Sequence, residues 1–191
     1  LQSALLKTNV NAFETYGMTE TLSHIAVRTM KDPLSEFKSL PYVQISQDER
    51  GCLVVNSELL HVDHFATNDA IELKGDGSFK LIGRIDDVIN SGGIKLHPQQ
   101  IERKLSEVLS IHFFIGGLED AELGKKVVLA VKHSPTLNTD SLLQKLKAND
   151  KLDAYECPKS ILVFDEFVET DSGKIKRMET LKLKPKQILD L

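Results

Sequence analysis

Four short motifs contain residues whose types and spacing could carry out chemistry. The first is Tyr16-Gly17-Met18-Thr19-Glu20-Thr21, in which an aromatic ring, a hydroxyl and a carboxylate follow one another closely. A hydroxyl can donate to a phosphate oxygen, and a carboxylate can bind Mg²⁺. The alternative interpretation is structural, with a strand that ends at Gly17 and Thr19 as a helix N-cap.

The second and third motifs combine charged groups with glycines. Thr67-Asn68-Asp69 precedes an apolar run, so Asp69 is either a turn former or a carboxylate that accepts both hydroxyls of a ribose. The third motif is Gly83-Arg84-Ile85-Asp86-Asp87-Val88-Ile89-Asn90-Ser91-Gly92-Gly93-Ile94-Lys95. Its arginine and two aspartates could form a surface ion network. Its paired glycines indicate either an ordinary hairpin or the close approach of a ligand.

The fourth motif is a glycine loop that carries a lysine, Thr170-Asp171-Ser172-Gly173-Lys174-Ile175-Lys176-Arg177. It is not a Walker-type phosphate loop, because Ile175 follows the lysine and no glycine stands five residues before Gly173. A lysine in such a loop can still bring a compact positive charge to an anionic reacting centre.

The elements that must position these motifs change character near Asp86. Short apolar runs separated by turns predict a hairpin-rich β region before it, with strands at Val10–Tyr16, Cys52–Val55, Ala70–Leu73 and Phe79–Ile85. The later part predicts a β-α-β-β-α-β order. Its elements are a strand at Ile94–Leu96, a helix opened by Pro98, strands at Ile111–Ile115 and Lys126–Val131, a helix capped by Thr139 and a strand at Ser160–Phe164, followed by a final short helix at Met178–Leu181. The fold class expected is α+β.

Composition excludes several classes of partner. The 191 residues carry 24 basic and 28 acidic side chains, and a net charge of −4 is not that of a nucleic-acid-binding protein. No apolar run approaches the roughly 20 residues of a transmembrane helix. The opening Leu1–Lys7 stretch has neither an initiator Met nor a signal-peptide plan. Cys52 and Cys157 lie far apart, which favours ordinary reduced thiols.

In this order and spacing, the four motifs resemble the adenylate-forming superfamily of acyl-CoA synthetases, adenylation domains and luciferases. The resemblance implies a cytoplasmic, AMP-forming acid–thiol ligase. Such an enzyme converts a carboxylic acid and ATP into an acyl-adenylate and pyrophosphate, and then transfers the acyl group to coenzyme A. It implies that residues 1–85 are the carboxyl-side remainder of a large N-terminal domain. Residues 86–191 would form a small, mobile α/β C-terminal domain that rotates about a hinge.

The resemblance also implies roles for the matched residues. Nucleotide binding falls to Tyr16 near adenine, Gly17, Thr19 at the α-phosphate, and Asp69 with Arg84 at the ribose hydroxyls. Glu20 would hold Mg²⁺, and Lys174 would be catalytic together with Thr19 and Glu20. Asp86 would be the hinge, and Gly92, Gly93 and Lys95 would line the route of the coenzyme A thiol.

Within the superfamily, Tyr16–Ser23, Thr67–Asp69 and Asn90–Leu96 look most like o-succinylbenzoate–CoA ligases of menaquinone biosynthesis. Ser23 and His24 are then candidates for contact with the acid, or else a structural Ser and His on a short helix. Asn68 stands where the family usually has Gly, and Val168 where a Pro is common. Another aryl- or acyl-CoA ligase, an enzyme that acylates a carrier protein and a non-catalytic module of the same fold remain open alternatives.

The Ser/Thr/Gly-rich phosphate loop that the family places before the Tyr16 motif is absent from this sequence. We therefore expect the chain to act with an N-terminal part of the same protein and to be inactive alone. Residues before Asp86 are expected to expose apolar surface to that part.

Overall fold

The chain forms two compact units, which divide between Asp86 and Asp87. The computed structural model describes residues 10–31 and 35–191, so the opening Leu1–Lys7 stretch lies outside the described residues. Within the described ranges, no helix is long and apolar enough to cross a membrane.

The first unit contains two antiparallel sheets. The smaller sheet has the order β1 (Phe13–Gly17), β2 (His24–Thr29) and β3 (Lys38–Ser39). The larger sheet has the order β4 (Gln44–Gln47), β5 (Cys52–Ser57), β6 (Val62–Leu73) and β7 (Phe79–Arg84). Its side chains pack around a stacked pair of rings, Phe37 and Phe79, whose centroids lie 5.6 Å apart.

Two sequence predictions in this unit are wrong. The first strand begins at Phe13 and not at Val10. Thr67, Asn68 and Asp69 lie inside β6 and do not precede a strand. The apolar run from Ala70 marks only the last third of this long strand, because its earlier residues are mostly polar and lie beside irregular pairing with β5. The prediction also omits β2, β3 and β4.

The second unit is a mixed sheet with helices. Its elements are β8 (Ile89–Ser91), β9 (Ile94–Leu96), α1 (Pro98–Ser106), β10 (Phe113–Asp120), β11 (Gly124–Lys132), α2 (Thr139–Lys147), β12 (Ser160–Phe164), α3 (Arg177–Leu181) and β13 (Gln187–Asp190). The strand order is β13-β12-β11-β8-β9, and β10 also pairs with β11. Strands β11 and β12 are parallel, and α2 lies on the connection between them.

The central strands β11 and β12 each contain a continuous apolar run, Val127–Val131 and Ile161–Phe164, because both of their faces are covered there. Val127, Leu129 and Val131 pack with α1 and α2, whereas Val128 and Ala130 belong to a second cluster on the opposite face. The α+β class predicted from the sequence is confirmed.

The boundaries of the second unit differ from the prediction in three places. Strand β10 begins at Phe113, not Ile111, and β13 was not predicted at all. Thr139 is not the helix cap, because the Asn138 side chain accepts a hydrogen bond from the Ser141 backbone N–H at 2.9 Å. Asn is among the strongest N-cap residues, and its position shifts the cap by one residue.

Candidate nucleotide-binding site

Three residues from three separate motifs meet in the first unit. The Tyr16 hydroxyl donates a hydrogen bond to the Asp69 carboxylate. The Arg84 guanidinium lies 3.2 Å from the other oxygen of the same carboxylate. The sequence prediction that Tyr16, Asp69 and Arg84 serve one site therefore corresponds to a connected polar cluster.

A β-bulge brings the charged pair of this cluster together. Strands β6 and β7 pair Ile71 with Leu81, and the register then shifts so that Asp69 lies opposite Arg84. Without the shift, the register would place Asp69 opposite Gly83. The bulge between Ala70 and Ile71 thus re-aims the Asp69 side chain, a role that bulges often have beside functional sites.

The Tyr16 side chain is held by aromatic packing around its ring and by a hydrogen bond from its hydroxyl. Its ring lies 5.8 Å from the rings of both Phe37 and Phe79. Burial raises the pKa of the Tyr16 hydroxyl strongly, and the hydrogen bond and negative charge of Asp69 raise that pKa further. Tyr16 therefore remains a neutral phenol that donates to Asp69 and fixes its carboxylate.

Thr19 and Glu20 lie on a 3-10 turn between β1 and β2. The N-cap of this turn is Met18, so the structural alternative that Thr19 is the cap is wrong. Thr21 stabilises the turn instead, because its hydroxyl lies 3.2 Å from the Met18 N–H and 2.9 Å from the Met18 carbonyl. The Thr19 and Glu20 side chains are exposed, and among residues 10–31 and 35–191 neither has a hydrogen bond or ion pair.

Gly17 is required by the close approach of the chain that returns from this turn. A Cβ at Gly17 would lie 2.6 Å from the Ser23 carbonyl oxygen and 2.7 Å from the His24 Cα, distances that no side chain tolerates. His24 begins β2, so the alternative that Ser23 and His24 belong to a short helix is wrong. Both are exposed, with Ser23 Oγ 3.3 Å from His24 Nδ1.

Asp86, the predicted hinge, is tied to the same cluster. Its carboxylate lies 2.8 Å from Arg84 Nη2 and also accepts hydrogen bonds from Asn68. The Arg84 and Asn68 hydrogen bonds hold the pKa of Asp86 below its ordinary value. The linear sequence indicates no role for Asn68, which marks only a departure from the family pattern.

In the second unit, Gly92 and Gly93 form the two-residue turn of the β8–β9 hairpin. Their φ angles of +58° and +83° suit a type I′ turn, which requires residues tolerant of positive φ. The hairpin interpretation of this motif is thus correct. The turn is fixed by the Gly92 N–H, which donates to the Leu123 carbonyl at 2.8 Å. Lys95 is exposed on β9.

Lys174 lies at the tip of a second tight hairpin. The Thr170 N–H donates to the Lys174 carbonyl at 2.8 Å, and the Thr170 hydroxyl accepts from the Lys174 N–H at 3.0 Å. Gly173 supplies the positive φ of +78° that the tip needs. The Lys174 side chain is exposed, and no ion pair within the described part of the chain engages it. Its ammonium group is available to an anion.

The base of this hairpin is anchored by Arg177. Its guanidinium forms a two-pronged ion pair with Glu102 on α1 and lies 3.6 Å from Asp87. Glu102 in turn accepts the Ile115 N–H at 2.8 Å. Arg177 therefore joins the lysine loop to α1 and β10. The linear motif did not reveal this contact because its two partners lie far away in the sequence.

We expect Arg177→Met to destabilise the second unit by about 2 kcal/mol, because it leaves the partly buried Glu102 carboxylate without its partner. Urea unfolding followed by circular dichroism measures this change. Combining it with Glu102→Gln should recover part of the loss, whereas additive losses would show that the pair does not interact.

Glu20 fits the role of a magnesium ligand shared with a nucleotide. Within the described residues, no group of three or more His, Cys, Asp or Glu side chains could hold a metal ion. Mg²⁺ at nucleotide sites usually takes most of its ligands from phosphate and water, so a single carboxylate such as Glu20 fits this mode.

Comparison with curated proteins finds similarity to CoA ligases and synthetases. The chain is 27% identical over 184 residues to a 2-succinylbenzoate–CoA ligase of Listeria monocytogenes, covering 86% of this chain and 39% of the relative. It is 32% identical over 127 residues to a feruloyl-CoA synthase of an Amycolatopsis species, covering 64% of this chain and 25% of the relative. No family model matches.

Solved structures share the fold. An o-succinylbenzoate CoA synthetase from Bacillus subtilis, in complex with its acyl-adenylate intermediate, has a TM-score of 0.79 at 21% identity, covering 97% of this chain and 44% of that one. The same enzyme with ATP and magnesium has a TM-score of 0.76 at 20% identity, covering 95% and 43%. The chain thus spans less than half the length of these relatives.

Motifs, sequence similarity and fold together show that the chain is similar to the carboxyl-side portion of enzymes of the adenylate-forming superfamily of acyl-CoA synthetases. Within that superfamily, the predicted resemblance to 2-succinylbenzoate–CoA ligases is confirmed.

Proposed function

We propose that this chain is the carboxyl-side part of an AMP-forming acid–thiol ligase that activates o-succinylbenzoate with ATP and transfers it to coenzyme A in the cytoplasm. The observation that carries the proposal is the convergence of Tyr16, Asp69 and Arg84. A carboxylate and a guanidinium side by side offer an acceptor and donors to the two hydroxyls of a ribose.

The neighbouring turn suits the phosphate end of the same nucleotide. Thr19 offers a free hydroxyl to the α-phosphate, and Glu20 offers a free carboxylate to Mg²⁺. When bound, the metal supplies positive charge that offsets the negative charge of the phosphates. Gly17 allows the chain that returns from this turn to pass close to β1.

The first half-reaction brings two anions together. The substrate carboxylate attacks the α-phosphorus, a new oxygen–phosphorus bond forms, and pyrophosphate leaves. We assign Lys174 to this step, because a lone ammonium at the tip of an exposed loop can neutralise charge that develops on the α-phosphate.

The second half-reaction requires different residues beside the same adenylate, because the thiol must now reach the acyl carbonyl. The coenzyme A thiol loses its proton and attacks the acyl carbonyl, and AMP leaves. We assign the Gly92–Gly93 turn and Lys95 to the route of the thiol, since the turn has no side chains to obstruct it. Rotation about Asp86, the last residue of the first unit, would replace Lys174 beside the adenylate with this turn.

The choice of acid rests on relatives and not on a pocket. The 2-succinylbenzoate–CoA ligases support o-succinylbenzoate, with Ser23 and His24 as contacts for the acid. The similarity to a feruloyl-CoA synthase supports a second candidate, another aryl acid. Incubation of the intact ligase with ATP, coenzyme A and each acid tests the choice. Only the true substrate should yield both AMP and the thioester, and failure with every aryl acid would contradict the proposal.

We further propose that activity needs an upstream part of the same protein that bears a phosphate loop. The curated relatives are much longer than this chain, and the sequence before Tyr16 contains no Ser/Thr/Gly-rich run of the kind that offers successive backbone N–H groups to the β- and γ-phosphates. Exposed apolar side chains, with Phe13 at 60% and Leu22 at 86%, are suited to contact that part.

The 191-residue polypeptide alone is therefore expected to show no ligase activity and to bind Mg-ATP weakly or not at all. Contacts to the ribose end cannot by themselves place the α-phosphorus for attack, and a misplacement of about 1 Å can cost about 10²-fold in rate. Calorimetry with Mg-ATP on the purified chain tests the affinity. Micromolar binding or measurable thioester would contradict this expectation.

A further inference from the structure

Strand β6 contributes a residue to which none of the proposed steps gives a role. Asn68 Nδ2 lies 3.2 Å from Asp86 Oδ1 and 3.1 Å from Asp86 Oδ2, so one amide group engages both oxygens of the last residue of the first unit. We infer that Asn68 is a positioning residue that fastens the Asp86 carboxylate to β6.

The orientation of the Asn68 amide follows from its two neighbours. Arg50 Nη1 lies 3.1 Å from Asn68 Oδ1 on one side, and the Asp86 carboxylate lies on the other. A guanidinium has only donors and an ionised carboxylate only acceptors. The amide oxygen must therefore face Arg50 and the amide nitrogen must face Asp86, because the reverse orientation would lose both hydrogen bonds.

Arg50 is itself fixed, so it can hold Asn68 in this orientation. Its Nε lies 2.9 Å from Asp48 Oδ2, and its Nη2 lies 2.9 Å from the Thr67 carbonyl oxygen. Asp48 also accepts the Cys52 backbone N–H at 2.8 Å. A continuous series of side-chain hydrogen bonds thus runs from the turn before β5, through Asn68, to Asp86.

The other group that holds Asp86 is shared. Arg84 reaches Asp86 with Nη2 at 2.8 Å and Asp69 with Nη1 at 3.2 Å. The proposed function places a ribose against Arg84 and Asp69. A guanidinium that donates its hydrogen bonds to the ribose would donate less to the Asp86 carboxylate. Asn68 then remains as the group that holds the carboxylate. A glycine at this position, as in the family pattern, would offer no such donor.

The test uses the ligand-free 191-residue polypeptide carrying Asn68→Ala. Carboxyl ¹³C NMR follows the titration of Asp86, which is faced by Asn68 and Arg84 and sits within the field of Arg50. We expect the pKa of Asp86 to rise toward its ordinary value but not to reach it, since Arg84 remains. We also expect hydrogen exchange at the Asp86 and Asp87 amides to quicken by about five-fold, the factor typical of an exposed hydrogen bond to a charged group.

Asp63→Ala is the matched control, because Asp63 is an exposed residue of the same strand with no hydrogen bond or ion pair inside the described ranges. It should leave both measurements unchanged. Arg50→Gln, which releases the Asn68 amide, should move the pKa of Asp86 in the same direction as Asn68→Ala.

Two results would overturn the inference. One is an unchanged Asp86 titration in Asn68→Ala, and the other is equally faster exchange in Asp63→Ala. Neither measurement involves ATP, so a failure here is distinct from a failure of the proposed function. If the NMR changes were as expected but the intact ligase were inactive, only the proposed function would be contradicted.

Discussion

Lys174→Ala in the intact ligase, meaning this chain with its proposed upstream part, is expected to slow adenylate formation by about 10²–10³-fold, the loss typical of removing one preorganised charge-stabilising donor. The reason is that Lys174 lies at the tip of a hairpin closed by hydrogen bonds between Thr170 and Lys174, and its ammonium has no ion pair within the described residues. Formation of thioester from supplied acyl-adenylate should be spared, because the α-phosphate is no longer attacked in that step.

Lys176→Ala is the matched control for this prediction. Lys176 is an exposed lysine two residues further along, and its ammonium lies 3.2 Å from Glu179. Its removal should leave both half-reactions close to normal. Single-turnover assays with ATP and acid, and separately with acyl-adenylate and coenzyme A, distinguish the steps. An equal loss in both steps for Lys174→Ala would contradict the role assigned to it.

Asp86→Pro is expected to slow thioester formation by about 10²-fold while changing adenylate formation little. Proline fixes φ, so a residue whose backbone must change between two conformations would remain in one of them. A conformation reduced to about one molecule in a hundred lowers the rate that depends on it by the same factor. Asp86 is the last residue of the first unit, which is where such a change would fall.

The same substitution also removes the carboxylate held by Asn68 and Arg84. Asp86→Ala is therefore the control, since it removes the carboxylate but leaves φ free. Its effect on thioester formation should be much smaller than that of proline. Normal rates for both half-reactions in Asp86→Pro would exclude Asp86 as the hinge.

The sequence identifies the candidate nucleotide-binding residues but not the geometry that joins them. The Lys74-Gly75-Asp76-Gly77 turn correctly predicts the β6–β7 hairpin. The bulge between Ala70 and Ile71, which sets Asp69 opposite Arg84, has no signature in the local sequence. A shift of one residue in register depends on packing across the sheet.

Long-range polar contacts were also beyond the sequence. The Asp48-Glu49-Arg50-Gly51 stretch has the composition of a turn, but nothing in it indicates that Arg50 reaches Asn68. Likewise, the glycine loop motif identifies Lys174, while its anchor through Arg177 to Glu102 depends on the fold. By contrast, the buried strands β11 and β12 were predicted well, because a continuous apolar run is itself their signature.

The most direct test of the ligase assignment is acid-dependent exchange of labelled pyrophosphate into ATP by the intact protein. Exchange requires only the first half-reaction, so it does not depend on the thiol acceptor. We expect exchange with o-succinylbenzoate to exceed exchange with alkyl acids and to fall by about 10²–10³-fold in Lys174→Ala. Absence of exchange with every aryl and alkyl acid tested, from a folded protein with its phosphate loop in place, would contradict it.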